Sequence, residues 1–106
     1  MQVLHYLDSH DRDRYQDWFN KLKDTEARVA IQRRIDRILT TGNIGAHRFC
    51  EDGVWELKVD VGPGYRVYYT EVRETVVLLL SGGNKKTQKR DIILAVEYRQ
   101  DYLKRP

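Results

Sequence analysis

The chain has 106 residues, 41% of them hydrophobic and 33% charged, a balance that suits one folded unit with a single core and excludes a disordered chain. No apolar run approaches the roughly 20 residues of a membrane-spanning helix, Met1 to His10 do not read as a secretory leader, and the lone Cys50 excludes an internal disulfide, so one cytoplasmic domain over 1–106 with no membrane partner is expected. Nineteen basic against sixteen acidic residues give a net charge of +3, which permits a nucleic-acid partner without requiring one.

Val3 to Leu7 is short and apolar-leaning and reads as a first strand. Ser9 and Asp11 are candidate caps for a helix on which Tyr15, Trp18, Phe19 and Leu22 share one face. Asp24 or Thr25 opens a second helix, with Ala27, Ile31, Ile35, Ile38 and Leu39 on one side and Arg28, Arg33, Arg34 and Arg37 around the rest. Gly42 suits its left-handed end. Two short helices with one apolar face each predict a helical hairpin laid on a sheet.

A strand through His47–Cys50 follows, and Glu51-Asp52-Gly53 is a hairpin turn. The next strand alternates, with Trp55, Leu57, Val59 and Val61 on one face and Val54, Glu56, Lys58 and Asp60 on the other. After Gly62-Pro63-Gly64, a strand over Tyr65–Arg73 sets Tyr65, Val67 and Tyr69 against Arg66, Tyr68 and Thr70. A turn near Arg73-Glu74 leads to Thr75–Leu80, where Val76 to Leu80 has no polar face, as in a strand covered on both sides. Gly82 to Asp91 reads as a basic exit loop, and Ile92, Ala95, Val96, Arg99, Tyr102 and Leu103 mark a last helix. The outline is α+β: a small antiparallel sheet of three to four strands, an N-terminal helical hairpin and a C-terminal helix.

Several chemical signals fail on spacing. His47 and Cys50 are two ligands at most, too few for a zinc site. Gly82-Gly83-Asn84-Lys85-Lys86-Thr87 lacks the glycine directly before lysine that a phosphate-cradling loop needs. No metal and no cofactor are expected. What remains is Arg66 in a strand interior, where a charge needs either a carboxylate such as Glu56 or Asp60 or an anionic ligand. Lys85, Lys86, Lys89 and Arg90 then cluster after a buried strand. A strand cation beside a basic segment is one way to build a phosphate site.

Gly42-Asn43-Ile44-Gly45, Gly53-Val54-Trp55-Glu56-Leu57, Gly62 to Tyr69 and Leu79 to Ile92, taken in this order with Trp18-Phe19 and Leu22-Lys23-Asp24, resemble the RelE/ParE toxin superfamily. The likeness is to its HigB-like addiction module killer protein branch and covers nearly the whole chain. It implies the toxin of a type II toxin–antitoxin system, held in a hetero-oligomer with a cognate HigA-like antitoxin that carries a helix-turn-helix. Nucleolytic members cut mRNA in the ribosome without metal, whereas ParE-like relatives poison gyrase; a degenerate, non-toxic interaction module is a further alternative.

By position, the resemblance makes Arg66 the sheet arginine near the scissile phosphate and Lys85 the lysine after the Gly-Gly turn. Tyr68, on the face of Arg66, joins them as a catalytic candidate that stacks on a base or moves a proton. Gln88 and Asp91 also match the branch. Arg48 stands where the branch has lysine and Lys58 where it has arginine; with Lys86, Lys89 and Arg90 these are the expected RNA-binding cations. His47 is a weak candidate base.

Overall fold

A computed structural model describes residues 1–106. In chain order the elements are β1 (Gln2–His5), α1 (Arg14–Lys21), α2 (Thr25–Thr41), β2 (His47–Glu51), β3 (Val54–Val59), β4 (Tyr65–Arg73), β5 (Val76–Asn84) and α3 (Gln88–Lys104). A short 3-10 turn, Lys85–Thr87, joins β5 to α3. The protein is α+β, but its sheet has five strands and is mixed, in the order β1-β5-β4-β3-β2. The expected three to four antiparallel strands therefore need correcting. β2 to β5 form an antiparallel meander, and β1 adds to β5 in parallel, with Val3 opposite Val77 and Leu4 opposite Leu78. A four-residue strand of mixed composition carries no sign of its distant partner, which tertiary packing supplies.

Helix starts follow local hydrogen-bond chemistry. Asp13, rather than Ser9 or Asp11, caps α1 by accepting from the Gln16 amide. Asp8 has already drawn the His10 and Arg12 amides into a turn of its own, in which Asp11 takes a left-handed conformation. Asp24 caps α2 through the Ala27 amide, and Gly42 ends it at φ +73°. The Asp52-Gly53 pair, with φ of +47° and +79°, closes the β2–β3 hairpin.

Alternation in the strands splits the molecule into two apolar layers. Leu57, Val59, Val67, Tyr69, Val77 and Leu79 meet α1 and α2 through Tyr15, Phe19, Ala27, Ile31, Ile35 and Ile38. On the opposite face, Val54, Tyr68, Leu78 and Leu80 meet α3 through Ala95. α1 packs mainly on β5, while α2 reaches from β1 to β3, so both lie on the sheet more than on each other. That corrects the expected hairpin, as does Leu39, which is exposed instead of joining the α2 face.

The expected basic exit loop is also replaced. β5 continues through Gly82 and Gly83 to Asn84, and both glycines are required by what lies over them. A Cβ on Gly82 would stand 2.1 Å from a ring carbon of Trp18, and one on Gly83 would stand 1.9 Å from the Asp91 carboxylate. Gly82→Ala is expected to destabilise by about 3 kcal/mol or more, because the indole is wedged between α1 and the sheet. Thermal melts of Gly82→Ala and of Gly82→Ala/Trp18→Leu would check this, the second change restoring part of the loss.

Candidate nucleic-acid interface

Strand register assembles a polar cluster at one end of the α3-covered face. One rung across the sheet reads Arg48, Glu56, Tyr68, Ser81, and the next reads Lys58, Arg66, Gly83. Gln88, the first residue of α3, and Asp91, one turn later, close over these rungs. Residues far apart in sequence thus meet because four antiparallel strands share one register.

Glu56 is the hub, at 1% exposed. Its carboxylate accepts from Arg48 Nε at 2.8 Å and from Gln88 Nε2 at 2.9 and 3.1 Å. A buried carboxylate is tolerable when its oxygens are satisfied in this way. The bond that Arg48 donates to Glu56 is also the main cause that raises the already high pKa of Arg48. Sequence alternation places Glu56 on this face, but the Gln88 and Arg48 bonds have no local signal and depend on the helix returning over the sheet.

Arg66 beside it is 5% exposed and incompletely partnered. Its Nη1 donates to the Tyr65 carbonyl at 2.9 Å. The nearest carboxylates, Asp60 at 3.6 Å and Glu56 at 3.9 Å, lie beyond hydrogen-bond distance, and Nε has no acceptor. Both partners named from the sequence stand within ion-pair distance of the guanidinium, but neither accepts a hydrogen bond from it.

Lys85 is brought to the same place. Its amide donates to the Gly64 carbonyl at 3.1 Å. Arg66 Nη1 and the Lys85 stem both lie within 4.0 Å of the point a Gly64 Cβ would occupy. Lys85, Lys86, Lys89 and Arg90, with Thr87 and Gln88, line an open depression of about 460 Å³. Asn84 shapes this turn by accepting from the Lys86 and Thr87 amides. Lys58 is half-buried on the neighbouring strand. The cations singled out in the sequence therefore share one end of the molecule, although Arg48, its side chain half exposed, is tied to Glu56 through Nε.

Tyr68 has a different setting from the one expected of a reacting group. Its ring is 0% exposed, its hydroxyl has no hydrogen-bond partner, and burial, then the nearby Glu56 and Asp91 charges, push its pKa upward. Ser81, opposite it, also lacks a partner for its hydroxyl. A buried hydroxyl without a partner costs stability, so Tyr68→Phe is expected to raise stability by about 1 kcal/mol. Urea unfolding measures that directly, and lower stability in the variant would show a bond to Tyr68 Oη.

His47 Nδ1 lies 2.7 Å from the Gly45 carbonyl, its ring tilts against Trp55, and no three His, Cys, Asp or Glu side chains are grouped to hold a metal ion. Burial raises the Cys50 thiol to a pKa of about 11, which keeps it protonated and unreactive near neutral pH.

Fold and site together define a small α+β protein with a basic cluster over one end of a mixed sheet. The chain belongs to the family described as phage derived protein Gp49-like (DUF891), whose model matches residues 17–97. This is a toxin-like family of addiction modules, and membership implies a cognate antitoxin in general. The matched span runs from α1 into α3 and so contains every cation of the cluster. The chain is also similar to a Haemophilus influenzae protein described as "Uncharacterized protein", with 44% identity over 78 residues, covering 74% of this chain and 78% of the relative. No helix here is long and apolar enough to cross a membrane.

Proposed function

We propose that this chain is the RelE/HigB-type toxin of a toxin–antitoxin pair and acts as an endoribonuclease on mRNA in translating ribosomes. The observation that carries the reading is Arg66, a nearly buried guanidinium with an unpartnered Nε and no carboxylate within hydrogen-bond distance, set beside Lys85 and the Lys86–Arg90 cations. A phosphodiester supplies the acceptors that this cation lacks. In the reaction the RNA 2′-oxygen loses its proton and bonds to the adjacent phosphorus, and the bond to the 5′-oxygen breaks as that oxygen gains a proton. Products are a 2′,3′-cyclic phosphate and a 5′-hydroxyl. Negative charge builds on the phosphoryl oxygens between these events, and Arg66 and Lys85 stabilise it where it forms.

Lys86, Lys89, Arg90 and Lys58 hold the backbone on either side, and the half-exposed Arg48 joins them. Binding of this kind weakens as salt rises, because each neutralised phosphate releases counterions. Tyr68 forms a packed floor under the cluster, since its ring is 0% exposed, whereas Arg66 keeps a 5% opening to the surface. Glu56 and Gln88 fix where the floor and α3 meet.

One observation favours a second reading. Tyr68 is fully and Arg66 nearly covered, which suits a ParE-like toxin that blocks gyrase by binding and needs no reacting side chain. Purified protein added to a reconstituted translation reaction separates the two. The nuclease reading expects cuts in the translated message and far fewer in the same RNA without ribosomes. Intact message together with inhibited gyrase supercoiling would establish the second reading.

A further inference from the structure

Five consecutive apolar residues, Ile92-Ile93-Leu94-Ala95-Val96, stand in the middle of α3. A helix docked by one face buries only every third or fourth position, so a run of this kind must turn apolar groups to the outside. Ala95 is buried, Ile92 and Val96 flank the core, and Ile93 is 59% exposed. Further along, Leu103 is 56% exposed. Lys89, Ile93, Val96, Gln100 and Leu103 are spaced by four, three, four and three residues, the spacing at which one helix seats against another.

Charge decides what can occupy that seam. Exposed Lys89 and Arg90 stand at one end and exposed Lys104 at the other, with Glu97 the exposed carboxylate between; Arg105 beyond the helix is tied back to the Leu7 carbonyl and the Asp101 carboxylate. An antiparallel second copy would set Lys89 and Arg90 against Lys104. A parallel copy would set each cation, and Glu97, against itself. Like charges so placed oppose self-association and select a partner of opposite sign. We propose that the outer seam of α3 docks an amphipathic helix of another protein, apolar along its own seam and acidic at both ends. This proposal does not rest on RNA cutting, and its test reads binding alone.

The test titrates the full chain with three labelled synthetic peptides of about three heptads each. The first has a leucine seam with glutamates at both ends, the second has lysines at the ends, and the third keeps the glutamates but has serine in the seam. Saturable binding of the first, at least tenfold tighter than either other, is expected. Ile93→Ser/Leu103→Ser should weaken it at least tenfold with an unchanged thermal melt, since both side chains are exposed. Equal binding of the first and third peptides would overturn the proposal, because attraction to the basic cluster would then suffice. So would binding that is unaltered in the double variant. Sedimentation of the chain alone as a dimer that Ile93→Ser dissociates would give the seam to a second copy instead.

Discussion

Glu56→Ala is expected to cost far more stability than Arg66→Ala, although the two side chains are diagonal neighbours on β3 and β4, 3.9 Å apart. Removing the carboxylate strands the Gln88 amide and leaves Arg66 with no countercharge except Asp60, an exposed carboxylate 3.6 Å away. Breaking a buried charge cluster in this way costs about 3–5 kcal/mol. Removing Arg66 instead leaves Glu56 held by Arg48 Nε and Gln88 Nε2, both within 3.1 Å. The cost is then about 1–2 kcal/mol, mainly from lost packing. Denaturant melts of the two variants measure the difference. Equal costs would mean that Arg66 is a fully engaged structural ion, and the argument that it awaits an anion would fail.

The second large effect falls on activity. Arg66→Gln keeps a hydrogen-bonding side chain and removes the charge, so RNA cutting should fall by about two to three orders of magnitude if the guanidinium meets the developing phosphoryl charge. Lys89→Ala, by contrast, touches only backbone binding and should weaken affinity mainly at low salt, with a shallower dependence of affinity on salt concentration. Rates on one defined message at two salt concentrations distinguish the roles. A loss in Arg66→Gln no greater than in Lys89→Ala would reduce Arg66 to one cation among several.

Much of this arrangement was legible because strands and helices declare their faces locally. The alternation through Tyr65–Thr70 separates the α1/α2 side from the α3 side, and the structure keeps that separation residue for residue. Asp24, Gly42 and Asp52-Gly53 act locally, so their roles could be read directly. β1 was readable as a strand but not as a parallel partner of β5, since nothing within Gln2–His5 names Val76–Leu79. Gly82 and Gly83 look like loop residues in sequence; they are strand residues because Trp18 and Asp91 occupy the space of their absent side chains. In the site, Arg66 and the Lys85–Arg90 cations could be singled out by charge in context. The near-complete burial of Arg66 and Tyr68 could not, because it depends on α3 folding back over β4, which no local pattern encodes.

The central claim is tested most directly in cells that express the wild-type chain or Arg66→Gln without an antitoxin, with growth followed and transcript 5′ ends mapped. Growth arrest with new 5′-hydroxyl ends inside translated frames is expected for the wild type, and neither for Arg66→Gln present at equal soluble level. Arrest by both proteins with no new RNA ends would contradict it.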